Sequence, residues 1–250
     1  MFIIDQIAYN SNLREMHPSE KFFFSIATMT MVFISNAPLI ASIVFLMMTF
    51  LLLYKGRVPF TLLMKLYLLP CAFVLLGMVA IIFSLEVEGG LRLTLAENAF
   101  QQGFLLITRS FASISCLYFL VLTTPITEII YVLEKLRVPI LIREMMFFIY
   151  RFIFIFIKIA ADIHTSQRIR GGYANIKNSY YALSQLISVL FLKAQHHGEL
   201  TYTALVSRGY TGEIRTVAPP YKKCKKNWIK IAIAEGFLIG IFLWKGQYYG

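Results

Sequence analysis

Charge is scarce in this sequence. Asp, Glu, Lys and Arg supply 15% of its 250 residues, against roughly a quarter in a soluble domain. With 58% of the chain hydrophobic, there is too little polar surface to clothe a water-soluble globule. The chain reads as an integral membrane protein. Cysteine is thin as well. Cys71, Cys116 and Cys224 lie far apart, which argues against a disulfide framework or a paired-cysteine metal clip and leaves packing residues or free thiols. Acid is the scarcer charge: 13 Asp and Glu face 24 Lys and Arg, a net charge of +11. In a soluble chain that balance would point to nucleic acid. In one this apolar it marks cytoplasmic loops and the anionic inner leaflet, and no nucleic-acid partner is expected. Missing too are the phosphate loop GxxxxGK[ST], the nucleophile elbow GxSxG and the zinc motif HExxH. No ATPase activity by that route is expected, and no catalytic residue, metal ligand or cofactor. The first 21 residues lack the basic start and apolar run of a cleavable leader.

What is present is apolar helix. Crossing the hydrocarbon core takes about 20 residues, and five stretches are candidates: 22–35, 39–54, 62–85, 103–123 and 228–243. The first two are short and turn sharply at Ser35-Asn36-Ala37-Pro38, so a shallow hairpin is an alternative to two full spans. Lys21 is placed to snorkel from the first. Lys55 and Arg57 put the loop after the second stretch in the cytoplasm, while Glu86, Glu88 and Glu97 against Arg92 put the next loop outside. The N-terminus is then cytoplasmic. Lys222, Lys223, Lys225 and Lys226 anchor the start of the last stretch. Arg109 and Glu235 fall inside spans, where charge is costly. They are expected to pair with one another or to anchor packing.

The stretch from Thr124 to Asn227 is expected in the cytoplasm, and residues 124–210 form its unusual part. Thr124 and Pro125 open a helix on which Ile126, Ile129, Ile130 and Leu133 make an amphipathic stripe. From Pro139 to Arg170 a second helix carries Arg143, Glu144, Arg151, Lys158 and Asp162 within about 100° of its circumference, and Ile, Phe, Met and Tyr elsewhere. A lipid-spanning helix would not hold such a charged stripe. An isolated soluble helix would not hold so wide an apolar face. A third helix covers 180–208, with a softer interruption near Gly198. The second and third helices both end on arginine followed by glycine, in SQRIRGGY (Ser166 to Tyr173) and SRGY (Ser207 to Tyr210). His164, His196, His197 and His17 read as interfacial residues, since adjacent histidines on a helix point about 100° apart. The expected fold is an all-α integral membrane protein with about five transmembrane helices and a cytoplasmic three-helix insert between the fourth and the last span. Its parts are N-terminal transmembrane helices (1–123), the cytoplasmic helices (124–227) and a C-terminal transmembrane helix (228–250).

Three pieces resemble the transmembrane T component of energy-coupling factor transporters, most closely the CbiQ type of cobalt importers. They are the opening IDQIAYNSNLREMHPSEK with Asp5, Pro18 and Lys21, the run Gln167-Arg168-Ile169-Arg170-Gly171, and the run Ala204-Leu205-Val206-Ser207-Arg208-Gly209-Tyr210. The order of spans and the helical insert extend the likeness over nearly the whole chain. The family usually has alanine before each arginine. Here Ile169 and Ser207 stand in that place.

The resemblance implies a scaffold without enzymatic activity in the bacterial inner membrane. It joins two cytoplasmic ABC ATPase subunits to a membrane substrate-binding (S) subunit that carries cobalt. Arg170 docks into one ATPase and Arg208 into the other, each flanked by Gly171 or Gly209. Arg168, Tyr173 and Tyr210 are candidate secondary contacts. The apolar faces of the insert hold the S subunit, which topples as the ATPases close. Nickel or a vitamin on the same scaffold is the near alternative. A stand-alone carrier or channel is the distant one, and it predicts charged groups converging at mid-membrane.

Overall fold

The structure, a computed structural model, describes residues 3–35, 37–86, 92–95, 99–212 and 225–248. A first helix, α1 (Ile3–Asn10), leads through a 3-10 turn at Asn12–Glu15 into α2 (Pro18–Ile34). Pro18 occupies a first-turn position where its missing N–H is no loss. His17 caps the same end, its Nδ1 accepting from the Ser19 amide at 3.2 Å. Proline also starts α3 (Pro38–Tyr54). Then come α4 (Phe60–Ile82), α5 (Ala99–Thr123), α6 (Ile126–Lys135), α7 (Ile140–Ile169), α8 (Ile176–Ser207) and α9 (Lys225–Tyr248).

A helix occupies each of the five stretches read as spans. Among the described residues α4 and α5 are long and apolar enough to cross a membrane, over Phe60–Met78 and Gln101–Thr123, and α3 is apolar but shorter. At 17 residues each, α2 and α3 reach about 25 Å, short of the roughly 30 Å hydrocarbon core.

Among the described residues the helical fold carries one short ribbon. The third apolar stretch stops being helix at Ile82, and Phe83–Glu86 (β1) pairs antiparallel with Arg92–Leu95 (β2). The register sets Phe83 opposite Leu95 and Leu85 opposite Leu93, with Ser84 opposite Thr94 and Glu86 opposite Arg92. Glu88 and Glu97, which carried the outside assignment of this loop, lie outside the described residues, as do Lys222, Lys223 and Cys224.

The chain divides into two compact units, Met1–Val132 with Pro219–Gly250, and Leu133–Ala218. The first is built around α5, which packs on α2, α3 and α4. Ala112, Ser115, Cys116, Phe119, Leu122 and Thr123 are its buried stripe. Facing it, α3 buries Ile40, Ala41, Val44, Met48 and Leu52. Small polar residues let the helices close up. Ser25 Oγ donates to the Cys116 carbonyl at 2.7 Å, and Thr28 Oγ1 turns back to the Phe24 carbonyl at 2.8 Å. Pro70, inside α4, cannot donate to the carbonyl four residues earlier. That carbonyl, on Leu66, accepts from Tyr118 Oη at 2.8 Å instead.

Of the charged residues in the first unit, Lys21 departs from expectation and Arg109 takes the second of its two expected roles, anchoring packing. Lys21 does not snorkel: it is 1% exposed. Its Nζ donates to the Thr123 carbonyl at 2.9 Å and to Glu128 Oε2 at 3.0 Å. It therefore pins the junction between α5 and α6 from α2, and a paired ammonium need not seek water. Glu128 and Val132 are buried on α6, so of the stripe read from sequence only Ile130 is fully buried. Arg109 does not pair with Glu235. Its Nη2 donates to the Phe33 carbonyl near the end of α2, and its guanidinium lies 5.0 Å from the Phe33 ring centroid. It caps orphaned backbone at a helix C-terminus, where a cation is favoured.

In the second unit α7 and α8 run antiparallel. Gln167 meets Ala182, Phe156 meets His197, and Glu144 meets Tyr210. The interruption expected near Gly198 is absent, for α8 is continuous from Ile176 to Ser207. One glycine weakens a helix by about 1 kcal/mol, which 31 other residues outweigh. Arg143 pairs with Glu134 at 3.3 Å across the corner at Pro139.

Candidate functional site

The two Arg-Gly pairs have the same backbone. Arg170 is the C-cap of α7 (φ −82°, ψ 8°) and Arg208 the C-cap of α8 (φ −95°, ψ 11°). Gly171 and Gly209 follow at φ 76° and 77°, a left-handed conformation in which a Cβ is strained. The hydrogen bonds match as well. The Gly171 amide donates to Arg168 O and the Gly172 amide to Gln167 O. The Gly209 amide donates to Val206 O and the Tyr210 amide to Leu205 O. Each is the paired closure that satisfies the last carbonyls of a helix.

The second glycine of the first motif has a separate reason. A Cβ on Gly172 would stand 2.9 Å from the Gln167 carbonyl oxygen and 3.4 Å from Ala182 Cβ. The chain turns tightly onto α8 there. Tyr210 holds the equivalent place after α8, where there is room for a ring.

These turns leave both arginines exposed. Ile169 beside the first is 81% exposed, and Ser207 beside the second is exposed as well. Arg168, on the last turn of α7, also stands in solvent. The arginines lie near opposite ends of α8, whose 32 residues give a length of about 48 Å. A guanidinium held out on a helix end, with the negative end of the dipole beneath it, offers planar charged donors to a partner carboxylate.

Between the arginines lies an uncovered apolar surface. No residue of α7 is buried within the chain, and on α8 only Ala182 is. Met145, Ile149, Ile153 and Ile157 on α7, and Ile187 and Phe191 on α8, are all more than 40% exposed. The charged edge read on α7 is present, with Arg151, Lys158 and Asp162 exposed and Arg143 and Glu144 half-buried.

Tyr173 and Tyr210 do not point their hydroxyls outward. Tyr173 Oη donates to Gln167 Oε1 at 2.9 Å, and Gln167 Nε2 donates on to the Ala182 carbonyl at 2.9 Å. The Tyr173 ring also lies 4.7 Å from that of His164. Tyr210 Oη donates to Glu144 Oε2 at 2.7 Å, and this bond to a carboxylate raises the phenol above its ordinary value, with smaller contributions from burial and nearby charge. Sequence spacing missed Gln167 and Glu144 as partners. The only hint for Glu144 was its place on the half-polar arc of α7.

Apolar helices that suit a bilayer, together with a helical hairpin too charged for lipid, fit a membrane protein. The family comparison makes this specific: residues 9–218 match the CbiQ family model, described as cobalt transport protein, and the chain belongs to that family. A fused protein from Methanocorpusculum labreanum, described as the putative cobalt transport protein CbiMQ, is 32% identical over 84% of this chain and 37% of its own. The cobalt transport protein CbiQ of Salmonella typhimurium is 26% identical over 84% of this chain and 97% of its own. A protein from Methanocaldococcus jannaschii described as uncharacterized is 29% identical over 95% and 91%.

Proposed function

We propose that the chain is the T component of an energy-coupling factor importer, a multi-pass protein of the bacterial inner membrane with its N-terminus in the cytoplasm. It brings cobalt into the cell together with two ABC ATPase subunits and a membrane S subunit. Five helices cross the bilayer, and α6 to α8 form the cytoplasmic coupling insert. The observation that carries this reading is the pair of matching arginine-capped helix ends at the two ends of an uncovered apolar helix pair. Arg170 and Arg208 are the docking points, one for each ATPase. Ile169, Gly171, Ser207 and Gly209 form their immediate surroundings. The separation of roughly 48 Å suits two separate subunits better than a single ligand. The apolar faces of α7 and α8 hold the S subunit, and closure of the ATPases moves them.

The resemblance supports cobalt over nickel or a vitamin, and the family's description agrees. The test is radioactive cobalt uptake into proteoliposomes. Vesicles holding this chain, both ATPases and the S subunit take up cobalt only with ATP, and vesicles holding this chain alone take up none. Flux through the chain alone would instead establish a stand-alone carrier or channel.

A further inference from the structure

The two arginine-bearing ends are tied back to the helix pair by tyrosines, and the ties differ. At the α7 end, Tyr173 holds Gln167, and Gln167 reaches the Ala182 carbonyl of α8. At the α8 end, Tyr210 crosses to Glu144 on the second turn of α7. Each tie therefore joins α7 to α8 close beside an arginine. Between them the helices hold one another weakly, with Ala182 their only buried residue. The Phe156 and His197 rings approach only to 6.1 Å between centroids. In such a pair the end ties carry more of the hold than they would in a packed core.

We infer that Tyr210 and Glu144 form a latch that makes α7 and α8 move as one lever when the partner ATPases pull on Arg208. This rests on the proposed function above. Tyr210 and Glu144 are positioning residues, because they act through the arginine-bearing helix end and not on the ATPase. Without the latch, force applied at Arg208 would splay the end of α8 from α7. The apolar faces would then stay behind while ATP was spent. Tyr173 and Gln167 make the matching tie at the other end, but within a tight turn that Gly172 already closes. The Tyr210 tie is the more exposed to failure, since 66 residues separate its partners.

The experiment uses the full complex in proteoliposomes and reads ATP hydrolysed per cobalt ion moved. Tyr210→Phe and Glu144→Ala each raise that ratio several-fold, while the ATPases still co-purify. Glu144→Gln keeps an amide oxygen that accepts from Tyr210 and keeps the wild-type ratio. Tyr210→Phe combined with Glu144→Ala is no worse than Glu144→Ala alone, because the bond that Tyr210→Phe removes is already gone. An unchanged ratio in Tyr210→Phe and Glu144→Ala overturns the latch, as does Glu144→Gln behaving like Glu144→Ala. If the wild-type chain captures no ATPase, the proposed function itself fails, and the latch with it.

Discussion

α3 and α8 are both long apolar helices, and they use that apolarity in opposite ways. α3 buries Ile40, Ala41, Val44, Met48 and Leu52 along one stripe against the rest of the first unit. Its outer side shows Leu39, Leu46 and Phe50, with no charge along the helix. α8 buries only Ala182, and its exposed Tyr180, Ile187 and Phe191 alternate with Lys177, Gln185 and Lys193. α3 carries no charge along its length, whereas α8 interleaves charge with its apolar residues. An apolar surface without charge suits lipid, and one interleaved with charge suits contact with protein.

The same contrast runs through the ion pairs, and breaking them gives the largest expected effect. The side chains of Lys21 and Glu128 are 0% and 4% exposed, while those of Arg143 and Glu134 are 19% and 55% exposed. Lys21→Met strands a buried carboxylate and should lower stability by about 3–5 kcal/mol, seen as a large drop in melting temperature in detergent. Arg143→Ala should lower it by about 1 kcal/mol or less. Equal losses would mean the two units are not differently packed.

Apolar truncation sharpens the comparison further. Met48→Ala opens a cavity in the first unit and should destabilise the chain by about 2–5 kcal/mol. Phe191→Ala, at a side chain 70% exposed, should stay within about 0.5 kcal/mol in the isolated chain. The same Phe191→Ala should weaken capture of the S subunit, measured by co-purification.

Helix ends give a smaller effect. Gly171→Ala and Gly209→Ala force an alanine to φ near 76° and should each destabilise by about 1–2 kcal/mol. α6 ends in the same closure with Arg137 at φ 60° in the glycine position. Arg137→Gly should therefore gain up to about 1 kcal/mol. Thermal unfolding of the three variants checks both signs.

The smallest effect is on pH. Tyr210 is raised above the usual phenol value by its bond to Glu144. The neutral phenol donates that bond, so its contribution is fully present below the unfolded pKa and is lost only as pH rises through the higher folded one. Coupling should be insensitive to the latch's titration between about pH 7 and 9 and should weaken above that range in wild type but not in Tyr210→Phe. A decline of the same size in Tyr210→Phe would assign it to another group.

Much of this was legible in local spacing. The apolar stretches became helices, the charged arc on α7 is there, and the glycines after Arg170 and Arg208 hold the left-handed turns expected of a helix end. What escaped was non-local. Nothing near Lys21 announces a partner 107 residues away, and nothing near Tyr210 points to Glu144. The ribbon at Phe83–Glu86 was hidden because four alternating residues at the end of a long apolar helix look like more helix. Gly198 misled in the other direction, since a softer patch is tolerated inside a helix of this length.

The most direct test of the account is co-purification of the ATPase subunits with membrane-inserted wild type, Arg170→Ala, Arg208→Ala and the double variant. Truncating a docked charge costs about 2–5 kcal/mol of binding. Each single variant should therefore lose most of its ATPase and the double variant all of it, with the chain still in the membrane. Full retention by the double variant would show that both arginines merely cap their helices, and that the ATPases grip the chain elsewhere.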